Sequence, residues 1–133
     1  PLAVGFFDLD HFKQVNDTYG HLAGDVVLGH FGEILRSLSP GAGTPFRYGG
    51  EEFLLLMPDQ DLRAAVMACE GVRQRLAREE WRTQLGVMRV TASCGVAEAL
   101  RDGALELDDL IQRADARLYR AKDRGRNRTI FSD

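Results

Sequence analysis

The sequence is short of cysteine, of net charge and of long apolar runs, and each shortage argues against a class of protein. Its two cysteines, Cys69 and Cys94, lie in apolar stretches without the spacing of metal ligands. We therefore expect two buried thiols in a reducing compartment rather than a disulfide. The three histidines share no metal spacing with one another or with the cysteines, which argues against a zinc site. No apolar run approaches the length that spans a membrane, and no signal-peptide pattern is present.

The net charge of −3 over 133 residues is too small to predict wrapping of nucleic acid or binding to an anionic membrane. We predict neither nucleic acid nor direct membrane contact, and an anionic ligand would need cations placed locally. Hydrophobic residues make up 44% and charged residues 28%, the usual balance for a globular protein. The length predicts a single domain over residues 1–133. We expect a cytoplasmic location, with membrane tethering of a parent protein left open.

Apolar periodicity predicts an α+β fold. The predicted helices cover about residues 12–19, 24–38, 61–78 and 107–123. The predicted strands cover about residues 2–9, 88–100 and 129–131, with a hairpin at 46–57. Gly95 predicts a bulge or a close backbone approach inside its strand, and Gly125 ends the last helix. This order of elements predicts an antiparallel-rich central sheet covered by helices.

A seven-residue segment with the sequence RYGGEEF, residues 47–53, joins two short apolar runs. Gly49-Gly50 predicts a tight hairpin turn, because glycine adopts the positive φ that such turns need. Glu51 and Glu52 follow directly. Adjacent strand residues face opposite sides, so only one of these carboxylates is expected to face a metal ion directly. Taken alone, the segment is equally compatible with a solvated turn.

Asp8 and Asp10 follow the first apolar run at alternate positions, which places both side chains on one side of the strand. Mg²⁺ binds one or two carboxylates together with substrate phosphates. Asp8 with Glu51 or Glu52 would supply that set. The alternative for Asp8 and Asp10 is a solvated strand end.

Lys13, Asn16 and Asp25 lie on the first two predicted helices. Lys13 is near a helix N-terminus, which favours anions. An aspartate accepts hydrogen bonds from N1–H and the amino group of guanine, and an asparagine both donates and accepts. Asn16 with Asp25 therefore predicts recognition of guanine rather than adenine. The alternative for Asp25 is a carboxylate in the first turn of its helix.

The last helix ends in a group of cations. Most of them are expected to form a solvated helix face with favourable C-terminal charges. Lys122 and Arg126 lie one turn apart on either side of Gly125 and could reach terminal phosphates. The full group is Arg117, Arg120, Lys122, Arg124, Arg126 and Arg128.

These stretches together resemble the GGDEF family of diguanylate cyclases, in its GGEEF variant. Beside residues 47–53, the match includes residues 7–17, 20–21, 24–25, 93–96, 113–115, 119–122 and 125–127, and so spans essentially the whole chain. The family usually begins with a further helix carrying a Leu-Thr-Gly-Leu-x-Asn-Arg segment, which is absent here. We therefore expect this domain to be excised from a longer protein.

The resemblance implies a fold similar to adenylate cyclase catalytic domains and polymerase palms, with a ferredoxin-like core. It implies a nucleotidyltransferase of bacterial signalling that condenses two GTP into cyclic di-GMP with loss of two pyrophosphates. Each chain would supply one triphosphate site, so two copies must face each other as a homodimer. We expect the isolated domain to be a weak catalyst, because the sequence has no obvious dimerisation helix.

The resemblance also implies roles for individual residues. Asp8, the carbonyl of Leu9 and Glu51 would hold two Mg²⁺ ions, with Mn²⁺ as an alternative. Glu51 and Glu52 would be catalytic, and the general base stays open between these two residues and a metal-bound hydroxide. Guanine would be read by Asn16 and Asp25, in a pocket lined by Phe12 and Leu28. The phosphates would be held by Lys13, Lys122 and Arg126, and Gly49 and Gly50 would let the backbone approach the nucleotide.

Many family members carry an Arg-x-x-Asp site for product inhibition, and here Pro40 and Gly43 stand at its two charged positions. We therefore predict no inhibitory site of that type. Two further functions stay open at this point. One is a catalytically silent module that binds GTP or cyclic di-GMP and regulates a neighbouring domain. The other is a related cyclase or polymerase-like transferase that uses another base.

Overall fold

The computed structural model of the protein describes residues 1–38 and 41–133. These residues form seven strands and five helices. The strands are β1 (Leu2–Leu9), β2 (Thr44–Arg47), β3 (Glu52–Pro58), β4 (Trp81–Thr83), β5 (Gly86–Met88), β6 (Ala92–Glu98) and β7 (Thr129–Ile130). The helices are α1 (Phe12–Tyr19), α2 (His21–Arg36), α3 (Leu62–Arg78), α4 (Ala99–Asp102) and α5 (Leu107–Asp123).

Five strands form the main sheet in the order β2-β3-β1-β6-β7. Strand β1 lies at its centre and pairs antiparallel with both β3 and β6, so that Phe7 lies opposite Phe53 on one side and Cys94 on the other. Only β6 and β7 are parallel among the described strands. The order of elements β1-α-β2-β3-α3-β6 is that of a ferredoxin-like core. The predicted fold, an antiparallel-rich sheet covered by helices, is confirmed.

Helices cover both faces of the sheet, which is why β1 is buried from Ala3 to Leu9 and is apolar there except at Asp8, rather than alternating. On one face, α2 and α3 bury a cluster in which the Phe31 ring packs edge-on against Phe7 and Phe53, with centroids 5.6 and 5.1 Å apart. On the other face, Val4 and Phe6 of β1 pack with Leu118 of α5. Each large apolar side chain buried in this way stabilises the fold by about 1.5–3 kcal/mol.

Helix α5 lies close against β6 at Gly95, which is the second of the two alternatives predicted for this glycine. A Cβ atom at Gly95 would lie 2.9 Å from the backbone carbon of Arg117 and closer still to the carbonyl oxygen of Ala114. Because backbone atoms cannot yield, only glycine permits this approach. The contact fixes the position of α5, whose last turn carries Lys122.

The predicted strand over residues 88–100 is wrong at both ends. Residues 81–88 form a separate β4–β5 hairpin, in which Trp81 pairs with Met88. Its turn is closed by Thr83, whose hydroxyl donates to the carbonyl of Gly86 at 2.7 Å, and Gly86 has φ 110°. At the other end, the Glu98 carboxylate accepts from backbone N–H groups and caps α4. Short-range hydrogen bonds thus end the strand where apolar alternation continues.

Cys69 and Cys94 are free and buried, as expected. Burial raises the pKa of the Cys94 thiol well above its ordinary value, and a hydrogen bond with Cys69 acts in the same direction. Within residues 1–38 and 41–133, no helix has the length and apolar character needed to cross a bilayer.

Candidate active site

The end of β1 opens into a cavity of about 190 Å³ in which four parts of the chain meet. These parts are the end of β1, the first turn of α1, the tip of the β2–β3 hairpin and the end of α5. Most of the residues predicted for metal and phosphate binding are therefore brought together. The lining is Asp8, Leu9, Asp10, His11, Phe12, Lys13, Glu51, Lys122 and Arg126.

Asp8 is a buried acid at this end of the sheet, and it forms a direct ion pair. Its side chain is 7% exposed, and it is paired with the ammonium group of Lys122. Burial raises the pKa of the Asp8 carboxyl above its ordinary value, while Lys122 acts in the opposite direction. A carboxylate in such a place needs a cation beside it, and Lys122 is that cation in this structure.

The hairpin predicted at Gly49-Gly50 is present, but the predicted reason for its glycines is wrong. Neither glycine has positive φ. The strands are joined by a longer loop in which the N–H groups of Tyr48 and Gly49 both donate to the carbonyl of Glu52, at 2.8 and 3.2 Å. No two-residue turn forms, so no left-handed residue is needed. A Cβ atom at Gly49 would instead collide with the Glu52 carboxylate.

Glu51 and Glu52 are both half-buried at the tip of this hairpin. The N–H of Leu9 donates to the backbone carbonyl of Glu51 at 3.2 Å, which fixes Glu51 beside the end of β1. Glu51 lines the cavity, and Glu52 is near enough to Asp8 to feel the charge of the Asp8 carboxylate. Burial, followed by the Asp8 charge, raises the pKa of the Glu52 carboxyl.

The residues at this cavity fit a hard divalent cation. Two carboxylates, Asp8 and Glu51, line the same cavity as the backbone of Leu9, and all three offer oxygen ligands. No group of three or more His, Cys, Asp or Glu side chains with metal-binding geometry occurs among the described residues. Two carboxylates and a carbonyl form a small ligand set, which leaves room in the coordination shell for phosphate and water.

A second cavity, of about 370 Å³, lies between α2 and β2. Asp25 and Leu28, two of the residues predicted to contact guanine, line it. Asn16 lies against the start of the same helix, because a Cβ atom at Gly24 would lie 3.1 Å from its Cγ and also 3.1 Å from the ring of Phe12. Phe12 itself lines the cavity at the end of β1.

Gly20 explains how helix α1, which carries Asn16, comes to lie against helix α2, which carries Asp25. Helix α2 begins at His21, three residues before the predicted start, because Gly20 alone reverses the chain with φ 93°. The helices α1 and α2 are thereby held in contact at Gly24, one residue before Asp25.

Gly125 ends helix α5, as predicted, and the structure shows that it does so in a Schellman motif. The N–H of Arg126 donates to the carbonyl of Ala121 at 2.9 Å, and that of Gly125 donates to Lys122 at 3.3 Å. Gly125 has φ 120°, which an L side chain rarely adopts. The turn directs Lys122 and Arg126 into the same cavity.

Arg117 was expected on a solvated helix face and is instead buried. Its guanidinium donates to both carboxylate oxygens of Asp102, at 2.7 and 2.8 Å, and to the carbonyl of Val96 at 2.9 Å. Arg117 follows Ala114 by three residues, so it lies on the buried stripe of α5. That spacing was the available signal for its burial.

Several residues that line or support the site were missed from the sequence. Arg47 donates to the carbonyls of Gly49 and Gly50, at 3.3 and 2.6 Å, and so supports the hairpin tip. Asp10 lies on the same side as Asp8, as predicted, but is satisfied by protein donors. Pro40, predicted to replace an inhibitory arginine, lies outside the described residues. The missed lining of the second cavity is Gly29, Gly32, Arg36, Pro45, Phe46, Arg47 and Phe53.

The sequence profile of the diguanylate cyclase GGDEF domain matches residues 1–128. The chain belongs to the GGDEF family. This confirms the family predicted from the sequence, and with it the class of enzyme to which that family belongs. GGDEF diguanylate cyclases use a divalent metal, in agreement with the oxygen ligands at the end of β1.

The GGDEF chain is similar to proteins of known sequence and structure. Diguanylate cyclase VdcA of Vibrio cholerae serotype O1 is 44% identical over 126 residues, covering 92% of this chain and 37% of that protein. The active GGEEF domain of a Vibrio cholerae diguanylate cyclase superposes with a TM-score of 0.88 at 30% identity, covering 99% and 83% of the two chains. The GGDEF domain of DgcB from Caulobacter crescentus, in complex with c-di-GMP, superposes with a TM-score of 0.90 at 30% identity, covering 98% and 77%. The chain spans 29% to 37% of the length of the curated relatives it matches.

Proposed function

We propose that this GGDEF domain is catalytically active and condenses two GTP molecules into cyclic di-GMP and two pyrophosphates. The observation that carries the proposal is the cavity at the end of β1, which is lined by three acidic residues and three cations. Phosphoryl transfer requires little covalent chemistry from a protein, and depends on positioning and on neutralising phosphate charge. A cavity with both kinds of group suits that task.

The carboxylates and cations divide the binding work. Asp8, the carbonyl of Leu9 and Glu51 would hold Mg²⁺, two ions per site, with Mn²⁺ as an alternative. When bound, the metal would supply charge neutralisation at the phosphates and a lower pKa for the attacking 3′-hydroxyl. Lys13, Lys122 and Arg126 would bind the triphosphate oxygens, and Glu52 stands beside the reacting groups.

The base would be held by α1 and α2. Asp25 lines the cavity between α2 and β2 and would accept from N1–H and the amino group of guanine. Asn16 packs against the same helix at Gly24 and would supply one donor and one acceptor. Adenine offers no N1–H, so the aspartate would disfavour it. Phe12 and Leu28 would contact the faces of the base, while Gly49 and Gly50 leave room above it.

The reaction would require a second copy of this domain. One chain has one cavity of this kind among its described residues, whereas the product contains two nucleotides joined head to tail. Two copies must therefore present their cavities to each other across a two-fold axis. The exposed hairpin tip around Tyr48, whose side chain is 58% exposed, would lie near that axis.

The purified domain, incubated at high concentration with GTP and Mg²⁺, should form cyclic di-GMP, identified by chromatography and mass spectrometry. ATP should give no product. The rate per chain should fall on dilution, because two copies are needed. GTP that binds without turnover would favour a silent binding module, and a different cyclic product would favour another cyclase. A rate per chain that stays flat on dilution well below the dimer constant would contradict the two-copy mechanism.

Glu51→Ala should abolish turnover, because it removes one of the two carboxylates proposed for the metal. Glu106→Ala, at an exposed residue before α5, serves as a control for general effects of removing an acid. Mg²⁺ should raise the melting temperature of the parent and of Glu106→Ala but not that of Glu51→Ala, a result that would support the metal assignment. Retained turnover in that variant would rule the assignment out.

A further inference from the structure

The loop after α5 has an unusual backbone. Three consecutive residues, Gly125, Arg126 and Asn127, have positive φ values of 120°, 65° and 49°. The Schellman motif accounts for Gly125. Asparagine tolerates the left-handed region, but arginine does so rarely, and such a conformation persists only where its surroundings impose it. The residue under this constraint, Arg126, is the one whose side chain lines the cavity at the end of β1.

Asn127 is held from two sides. Its backbone N–H donates to Oδ2 of Asp10 at 3.0 Å. On the other side, Nη1 of Arg73 donates to the side-chain oxygen of Asn127 at 2.7 Å and to its backbone carbonyl at 3.2 Å. The two contacts come from different parts of the chain, the turn after β1 and helix α3, and meet on one residue. They fix the backbone on the C-terminal side of Arg126.

The two groups that hold Asn127 are themselves rigid. Asp10 is 5% exposed and also accepts from the hydroxyls of Thr91, at 2.7 Å, and Ser93, at 2.6 Å. Arg73 is paired with Glu70 through two hydrogen bonds of 2.7 Å. A planar guanidinium held by two bonds has little rotational freedom, so its remaining N–H groups are aimed at Asn127.

We propose that Asp10 and Arg73 are positioning residues for triphosphate recognition. By fixing Asn127, they hold Arg126 in its left-handed conformation with the guanidinium directed into the phosphate cavity. This inference rests on the proposed function only in assigning a triphosphate to that cavity. It separates the roles of the two acids of the Asp-x-Asp pair. Asp8 is paired with Lys122 and is proposed to hold the metal, whereas both oxygens of Asp10 accept from protein donors.

Asp10→Asn and Arg73→Lys test the two sides of the clamp independently. The asparagine is isosteric, but it removes the negative charge and replaces one of the two acceptor oxygens with an NH2 donor, so the charge-assisted hold on Asn127 is lost. The lysine keeps the charge at residue 73 and removes the forked geometry. Thr91→Val is the matched control, because it removes one hydrogen bond from the same carboxylate without touching the loop.

The first measurement is binding of GTP and of GMP to the whole domain in Mg²⁺, by calorimetry. Asp10→Asn and Arg73→Lys should lower the affinity for GTP roughly tenfold, because one charge-assisted contact is misplaced. The affinity for GMP should stay nearly unchanged. Adding Arg126→Ala to either variant should cause little further loss of GTP affinity, because all three changes act on the same contact between Arg126 and the triphosphate. Thr91→Val should keep the GTP preference of the parent. In a turnover assay, KM should rise with kcat largely kept.

The second measurement needs no nucleotide. Amide hydrogen exchange at residues 125–128 should accelerate in Asp10→Asn and Arg73→Lys and not in Thr91→Val. This readout holds whether or not the domain makes cyclic di-GMP, so the two proposals can fail separately. The positioning role is overturned if loop exchange rises while the GTP-to-GMP affinity ratio stays at the parent value, or if Thr91→Val lowers that ratio equally.

Discussion

The carboxylate of Asp8, at the end of the central strand, is paired with the ammonium group of Lys122, in the last turn of α5. The Asp8 side chain is 7% exposed and that of Lys122 is 32% exposed, so the pair lies at the edge of solvent. Lys122 thus supplies Asp8 with the positive charge that a metal ion would otherwise supply. Since Lys122 is also proposed to bind phosphate, loading the site would exchange one partner of Asp8 for another.

Lys122→Met should make the stability of the domain more dependent on Mg²⁺. Without the lysine, the buried Asp8 carboxylate has lost its principal counter-ion, which lowers the melting temperature in the absence of metal. Mg²⁺ would then bind a site with no competing ammonium group, and tighter binding stabilises the folded state more, by an amount that grows with the logarithm of the affinity. We expect the Mg²⁺-induced rise in melting temperature, measured by scanning fluorimetry, to exceed that of the parent by several degrees. Such a shift corresponds to a stability difference on the order of 1 kcal/mol.

Arg124→Met is the matched control for this prediction, because Arg124 is exposed, adjoins the same helix end and carries no contact with Asp8 in the described structure. Its Mg²⁺ response should equal that of the parent. An equal response in Lys122→Met and Arg124→Met would show that Lys122 does not compete with a cation at Asp8.

Gly24→Ala should impair nucleotide binding through Asn16. A Cβ atom at residue 24 would collide with the Asn16 amide and press on the Phe12 ring, both of which belong to the proposed guanine site. Displacing an amide that reads the base leaves polar groups unpaired and costs about 1–3 kcal/mol. We expect GTP affinity, measured by calorimetry, to fall about tenfold to a hundredfold.

Gly71→Ala controls for the effect of the same substitution in a helix. Nothing lies within 4 Å of the position its Cβ would take, on α3. It should stabilise the domain by about 0.5–1 kcal/mol, because alanine is the better helix former, and leave GTP affinity unchanged. Unchanged GTP affinity in Gly24→Ala would contradict the placement of Asn16 at the base.

Most of the elements could be predicted because their signals are local. Strand β1 and helices α1 and α5 have the bounds that apolar periodicity predicted. The β4–β5 hairpin could not be predicted, since its strands have three residues each and are too short to show a period. Its turn depends on a single side-chain contact from Thr83 to Gly86, which leaves no pattern in the sequence.

The residues of the candidate site likewise divide into those that could be predicted from the sequence and those that could not. Asp8, Lys13, Glu51, Lys122 and Arg126 were predicted together and line one cavity. The support beneath them was not predicted, because it joins residues that are far apart along the chain and ordinary in type. Asp10 and Asn127 are separated by 117 positions, and Arg73 and Asn127 by 54. Spacing along a sequence carries no information about such contacts.

The Asp102–Arg117 ion pair should make stability depend on pH in the acid range. Arg117 donates two hydrogen bonds to Asp102 and lowers the pKa of its carboxyl below the ordinary value of 3.8. A lowered folded-state pKa adds stability that is fully present well above the unfolded value and is lost as pH falls through the folded value. Asp102→Asn should therefore destabilise the domain by roughly 3 kcal/mol at pH 7, because it leaves a buried guanidinium short of its charge partner.

Urea unfolding at pH 7 and again near pH 3 measures this effect, and the gap between parent and Asp102→Asn should narrow at the lower pH. Asp109→Asn is the control, since Asp109 forms a half-exposed pair with Arg113 at 3.5 Å. Such pairs contribute about 0.3–0.5 kcal/mol. A gap for Asp102→Asn that widens as pH falls would contradict the assigned direction of the pKa shift.

Product should not inhibit this domain through residues 40–43. Gly43 offers no carboxylate, and a Cβ atom there would lie 2.6 Å from the carbonyl oxygen of Leu56 and 2.8 Å from Cγ of Met57, so the position has no room for a side chain. Added cyclic di-GMP should slow turnover only by competing with GTP, so raising GTP should restore the full rate. In amide NMR spectra, cyclic di-GMP should shift resonances near Asp25 and Lys122, whereas those of residues 41–43 should stay in place. Inhibition that GTP cannot relieve, together with shifts at Ala42 and Gly43, would contradict this prediction.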